Sequence, residues 1–316
     1  MAFKGNQIVK TLSLIHQTGY PRILAAGVGL TLGLFGPPVW GADTGNVAIA
    51  LAQKHQKAVV TVKVILKLRI QQQESEKKVE TIGTVIDPSG LTVVSSRAID
   101  PMSTFRSLMK GFGAMAAAAG VSADSDITST ALIFDDGAEM EADVVLKDAD
   151  LDLAFVRPRN AARMFEAIVL TPPKTPPQLL DEILYIGRLG GSENRVLTLS
   201  KGSICAIVKA PRAYYICDNR LTTANVGCPV FANDGSTLGI LVTKLSPSAA
   251  GGSGAVMGML GGGGGGEMAL PMVILRPVAD VLEIAAQAKN VKLPEKSADK
   301  APPAAFDTKP KDANVK

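Results

Sequence analysis

A handful of side chains are the candidates for a nucleophile or a base. They are the thiols of Cys205, Cys217 and Cys228, the hydroxyls of Ser95 and Ser96, and His55, the one histidine after residue 42. A thiol becomes a nucleophile when its surroundings lower its pKa. Cys228 sits in the Gly-Cys-Pro turn of the loop TTANVGCPVF, Thr222 to Phe231, and is one candidate; a packed small hydrophobe is the ordinary alternative and the one preferred here. Ser95 and Ser96 precede Arg97, but a guanidinium with a pKa above about 12 cannot serve as a base at neutral pH. Without a base these serines read as strand-end polar residues. His55 falls in a helical stretch ahead of the first strand, where a solvated or half-packed imidazole is the usual outcome. No cofactor and no metal is expected, and the glycine run 261–266 has no Gly-Lys-Ser/Thr ending that would cradle a phosphate.

The elements that would position these residues are mostly strands. Period-two, β-branched runs occur at 58–68, 78–86, 91–95, 130–134, 140–146 and 153–156. The proline-rich linker Thr171–Pro177 separates them from a second set at 183–187, 196–199, 203–208, 214–217, 229–231 and 237–242. The fold class is therefore all-β, with two packed six-stranded antiparallel barrels. Helical patterns occur only at 47–54 and 277–287, and the latter puts Val278, Leu282, Ala285 and Ala286 on one face. A first barrel is expected over 45–170, with an insertion at 102–126. A second barrel and C-terminal helix are expected over 178–288, with a glycine-rich loop at 249–266.

Composition bounds the function classes. The formal charge of +4 includes Lys4, Lys10 and Arg22, all ahead of the first acidic residue, Asp43; without those three the balance is +1. Nucleic acid is thus not expected as a partner, since that needs a basic face. Residues 1–42 follow the plan of a secretory signal: a basic start, an apolar run from Ile23 to Phe35, then a Pro-Pro break and Val39-Trp-Gly-Ala42. The run falls short of the roughly 20 residues of a spanning helix. Export to a periplasmic or extracellular compartment is expected, with an uncleaved N-terminal anchor as the alternative. Residues 289–316, rich in Lys, Pro, Ala and Asp, read as a disordered tail.

Three blocks, in order, carry a family resemblance. The segment Gly83-Thr-Val-Ile-Asp-Pro-Ser-Gly through Ser95-Ser-Arg-Ala-Ile-Asp100 resembles the region of HtrA-type, trypsin-like serine proteases that ends at the catalytic histidine. Asp148-Ala-Asp-Leu-Asp-Leu-Ala-Phe-Val156 is similar to their segment bearing the catalytic aspartate, which maps onto Asp152. Asp218 through Val230 is similar to the segment bearing the nucleophilic serine, with Asn225, Gly227 and Pro229 keeping its frame. The resemblance spans roughly residues 45–288 and implies the chymotrypsin-type double β-barrel; no PDZ-like segment is expected after it.

The departures decide the chemistry that the resemblance implies. Arg97 stands where the family has histidine, and Val226 stands where it has serine. In the family's mechanism a hydroxyl attacks, an imidazole takes its proton and a carboxylate orients the imidazole. Valine has no lone pair, so the expected function is that of a pseudoprotease acting by protein or peptide binding. An active protease with an unusual site and a structural subunit remain the alternatives. Ala224, Asn225, Gly227 and Thr243 are the candidate cleft residues, the ligand being an extended polypeptide laid along a strand edge. Arg97 is expected either to pair with Asp152 as a buried ion pair or to extend into solvent. Cys205 and Cys217 flank a hairpin centred on Pro211, which allows either a disulfide or two buried thiols. The 102–126 insertion is a candidate contact for a partner, a membrane surface or the barrel itself.

Overall fold

The structure is a computed structural model and describes residues 44–70, 73–103, 123–160, 163–218, 221–244 and 272–291. The leader 1–42, most of the insertion 102–126, the glycine-rich loop 249–266 and the tail from 292 lie outside the described residues.

The first barrel is built from β1 (Val59–Ile70), β2 (Gln73–Val85), β3 (Thr92–Ser95), β4 (Ala123–Ile133), β5 (Glu139–Asp148) and β6 (Leu153–Pro158), closed in the order β1-β2-β3-β6-β5-β4. In β1 the β-branched and aliphatic residues Val62, Val64 and Leu66 turn inward and are buried, while Lys63, Ile65 and Lys67 between them stay partly exposed, as a half-buried strand requires. β1 and β2 pair along their whole length, from Val59↔Thr84 to Ile70↔Gln73. The β4–β5 ladder is short: it runs only from Ile133↔Glu139 to Thr130↔Ala142, and the strands part beyond it. β4 begins at Ala123, opposite Ile70 of β1, so the end of the expected insertion belongs to the barrel.

The second barrel comprises β7 (Glu182–Arg188), β8 (Leu197–Val208), β9 (Tyr214–Cys217), β10 (Pro229–Ala232), β11 (Thr237–Lys244) and β12 (Met272–Pro277), closed in the order β10-β11-β12-β9-β8-β7. Two sequence expectations are corrected here. The runs 196–199 and 203–208 are one strand, because Gly202 keeps the ladder, opposite Ile183, instead of turning. A Cβ at Gly202 would lie 3.3 Å from Asp218 Oδ1, so this glycine marks a close approach and not a break. The sixth strand is β12, whose apolar run leads directly into the last helix at Pro277.

Helix α1 (Thr44–His55) buries Ala48, Leu51 and Ala52. Its last residue, His55, expected to be solvated or half-packed, is buried and stacks on Phe231 of β10, ring centroids 5.3 Å apart. The short helix α2 (Ser96–Ile99) follows β3, and α3 (Val278–Asn290) follows β12. The buried face of α3 is Val278, Val281, Ile284, Ala285 and Ala288, while Leu282 and Ala286 are exposed. The helix is therefore rotated from its expected face, with Arg157 of β6 donating to the carbonyls of Ala288 and Val291 at 2.7 and 3.0 Å. Buried side chains of both barrels form one contiguous apolar core.

Candidate functional site

Asp152 lies just before β6, is fully buried and has φ 57°, a left-handed conformation that Asp tolerates better than most residues. Its backbone carbonyl accepts from Ser96 N–H at 3.2 Å, which holds the turn against α2. The carboxylate is enclosed by donors. Oδ2 accepts from Ser95 Oγ, Thr243 N and Thr243 Oγ1, each at 2.7 Å, and Oδ1 accepts from Arg97 N at 2.7 Å. The Arg97 guanidinium lies 3.5 Å from Oδ1. These contacts take up the roughly four lone-pair directions of a carboxylate. Since Thr243 is on β11 and Asp152 on the first barrel, the carboxylate is also a bond between the barrels.

Arg97 does meet Asp152, yet its closest guanidinium contacts lie elsewhere. Nη1 donates to Thr243 O and Nη2 to Ala149 O, both at 3.1 Å, with the side chain 22% exposed. The backbone amide of Arg97, not its charge, makes the short bond to the carboxylate. The guanidinium thus acts as a strap from α2 to β11. Ser95 is more than a strand-end residue: its hydroxyl donates to Asp152 and accepts from Ala98 N at 3.1 Å as the N-cap of α2. A serine directly before a helical run is a cap signature that would have indicated this.

The loop that the sequence singled out is a 3₁₀ turn, Thr223–Asn225, closed by a capping box between Thr222 and Asn225. Its amides are spent within the protein. Ala224 N–H goes to Thr222 Oγ1 at 3.3 Å, Asn225 N–H to Thr222 O at 2.9 Å, Val226 N–H to Thr223 O at 3.3 Å and Cys228 N–H to Asn225 O at 3.2 Å. Gly227 N–H goes to Leu241 O of β11 at 2.8 Å. An oxyanion cradle needs amides aimed at the reacting oxygen; these five consecutive amides are each bonded within the protein, four of them inside the turn itself. Val226 itself is buried, 1% exposed. Gly227 has φ 93°, and a Cβ there would fall 1.9 Å from Ile82 O, so only glycine fits where the loop passes β2. Its carbonyl accepts from the buried Thr84 Oγ1 at 2.8 Å.

The four candidate cleft residues separate into two pairs. Ala224 is exposed and Asn225 half-buried, at the surface of the turn. Gly227 and Thr243 are buried with their backbone polar groups already bonded, to Leu241 and Thr84 for the first and to Asp152 and Arg97 for the second. Both make bonds between the two barrels, Gly227 to Thr84 and Thr243 to Asp152.

The thiols are placed apart. Cys228 is fully buried, its Sγ 2.9 Å from where a Cβ of Gly187 would be, and burial raises its pKa far above the usual thiol range. It is a packed residue with no thiolate character. Cys217 is buried opposite Ile204, and burial, with Asp218 beside it, pushes its thiol up to about 12. Cys205 is exposed, because the ladder bulges between Ile204 and Ala206 and leaves it on the outer face. The two do not form the disulfide allowed by the sequence: one faces the core and the other solvent, and all three cysteines are free. Among the described residues no group of three or more His, Cys, Asp or Glu side chains is placed to hold a metal.

Residues 83–240, half of the chain, match the family model described as a trypsin-like peptidase domain. A comparison with curated proteins finds no match.

Proposed function

The chain belongs to the trypsin-like peptidase domain family, and from that premise we propose that it is an exported, HtrA-like but catalytically inactive member that acts by binding polypeptide. The observation that carries the reading is Val226: buried, at the nucleophile's position, on a turn whose amides bond within the protein. Two further facts support it. A guanidinium strapped to Thr243 O and Ala149 O stands where the base belongs, and the Asp152 carboxylate is saturated by structural donors. The base and the nucleophile are thus replaced by groups that cannot do their chemistry, while the carboxylate is kept as a bond between the barrels. Export rests on the three-part pattern of residues 1–42.

Binding without cleavage asks only for main-chain pairing and side-chain contacts. The margin of β11 toward the turn is capped at Thr243, whose N–H serves Asp152 and whose carbonyl serves Arg97. An extended ligand pairing there must take the place of the Arg97 guanidinium on Thr243 O. The experiment is exposure of the purified full chain to a fluorophosphonate, followed by intact mass. No adduct on any serine is expected; a stoichiometric adduct overturns the inactive reading.

A further inference from the structure

We propose that the gap between β4 and β5 is an acceptor for one extended strand, and that its occupant is the chain's own segment following Val291. The β4–β5 ladder stops at Thr130↔Ala142, while β4 continues to Ala123 and β5 to Asp148. Between the parted strands lies a groove of about 450 Å³, with Ile127 and Thr130 on one wall, Val144 and Leu146 on the other, and Arg159 and Val291 also lining it. β5 is paired with β6 on its far side, and β4 with β1, so the walls of the gap are the strand margins that the barrel leaves open.

Exposed strand margins invite pairing, and proteins usually guard them with charge. The outer margin of β2 is guarded in this way by Glu74, Glu76, Lys77 and Lys78, all exposed. The stretches Ile127–Thr130 and Val144–Leu146 carry no charge at all. Of the charged residues that line the groove, Asp143 and Lys147 flank the second stretch in sequence, and Arg159 is tied to Asp143 at 2.7 Å.

The route of the chain names the occupant. Arg157 of β6 holds the carbonyls of Ala288 and Val291, and Lys289 pairs with Asp87 at 2.7 Å, so the end of α3 is fastened to the first barrel and Val291 lines the groove. Residues 292–316 follow, starting Lys292-Leu293-Pro294-Glu295. Four extended residues span about 13 Å, the length of the four β4 residues from Ile127 to Thr130. Leu293, two positions after Val291, falls on the same side of such a strand and brings an aliphatic group toward Ile127, Val144 and Leu146, which line the groove. Pro294 has no N–H and ends the pairing, as suits a short added strand. This inference does not depend on the fate of the catalytic cleft.

Hydrogen exchange read by mass spectrometry tests it on three proteins: the full chain, full-length Leu293→Asp, and a chain ending at Val291. The Leu293→Asp variant leaves every contact described above in place. Amides of 127–130 and 144–146 should exchange about tenfold faster in both variants, with the rest of the barrels unchanged. An excess of a synthetic peptide of residues 292–302 should restore protection in the shortened chain. Equal exchange in all three proteins overturns the proposal. So does faster exchange spread over both barrels, and so does protection in the shortened chain that rises with its own concentration, which would put a second copy in the groove.

Discussion

Replacing Arg97 with alanine separates two readings of the strap. If Arg97 and Asp152 were chiefly a buried ion pair, loss of either partner would destabilise alike, by about 3 to 5 kcal/mol. The distances say otherwise. Arg97→Ala removes two bonds to carbonyls at 3.1 Å and an ion pair at 3.5 Å from a side chain 22% exposed, and leaves the four 2.7 Å bonds to the carboxylate intact, since one of them comes from the backbone of residue 97. At about 1 kcal/mol for each net hydrogen bond, the expected loss is about 2 kcal/mol. Asp152→Ala instead strands two amides and two hydroxyls in the core and places alanine at φ 57°, and should destabilise by about 4 kcal/mol or more. In the double variant the coupling between the two should be under about 1 kcal/mol. Urea titrations followed by far-ultraviolet circular dichroism give all four stabilities. Equal losses for the two single variants, or an unchanged Arg97→Ala protein, would refute the reasoning.

Other expectations follow from the same geometry. Arg97→His and Val226→Ser together should not produce peptide turnover, because the amides of 224–228 remain bonded within the protein; turnover above the parent chain contradicts that account. Gly227→Ala should lower stability by more than about 3 kcal/mol, measured as a fall in Tm, since its Cβ meets Ile82 O and the backbone there is left-handed. In the folded chain a thiol reagent should modify Cys205 alone, with Cys217 and Cys228 reacting only in denaturant; modification of Cys228 under native conditions argues against its burial. His55 is held below its ordinary pKa by burial and then by Lys54, so the unfolded chain takes up protons first as pH falls. Its contribution is present above pH about 6.5 and is lost on acidification below that, a loss that His55→Phe should flatten in a plot of stability against pH.

The sequence was most legible where neighbours along the chain determine structure. The strand runs, the Asn-x-Gly-x-Pro frame and the order of the three blocks could be read directly, and the two barrels follow from them. Contacts between distant strands left weaker traces. Nothing local to Thr243 announces that its amide and hydroxyl both serve Asp152, ninety-one positions away, and the reason for Gly227 lies in β2. Gly202 looked like a break because a glycine in a strand does not distinguish a turn from a close approach. β12 was missed because its last residue, Pro277, also starts a helix. The placement of Cys205 depends on a single bulge, which moves one side chain to the opposite face.

The central claim is that this trypsin-like fold holds polypeptide without cutting it. Incubating the purified full chain with reduced, unfolded casein, with trypsin as a control, reads both halves at once by gel and by co-sedimentation. Casein retained by the chain and intact after prolonged incubation is the predicted result. Casein fragments that scale with the amount of the chain and vanish with a serine-protease inhibitor would contradict it.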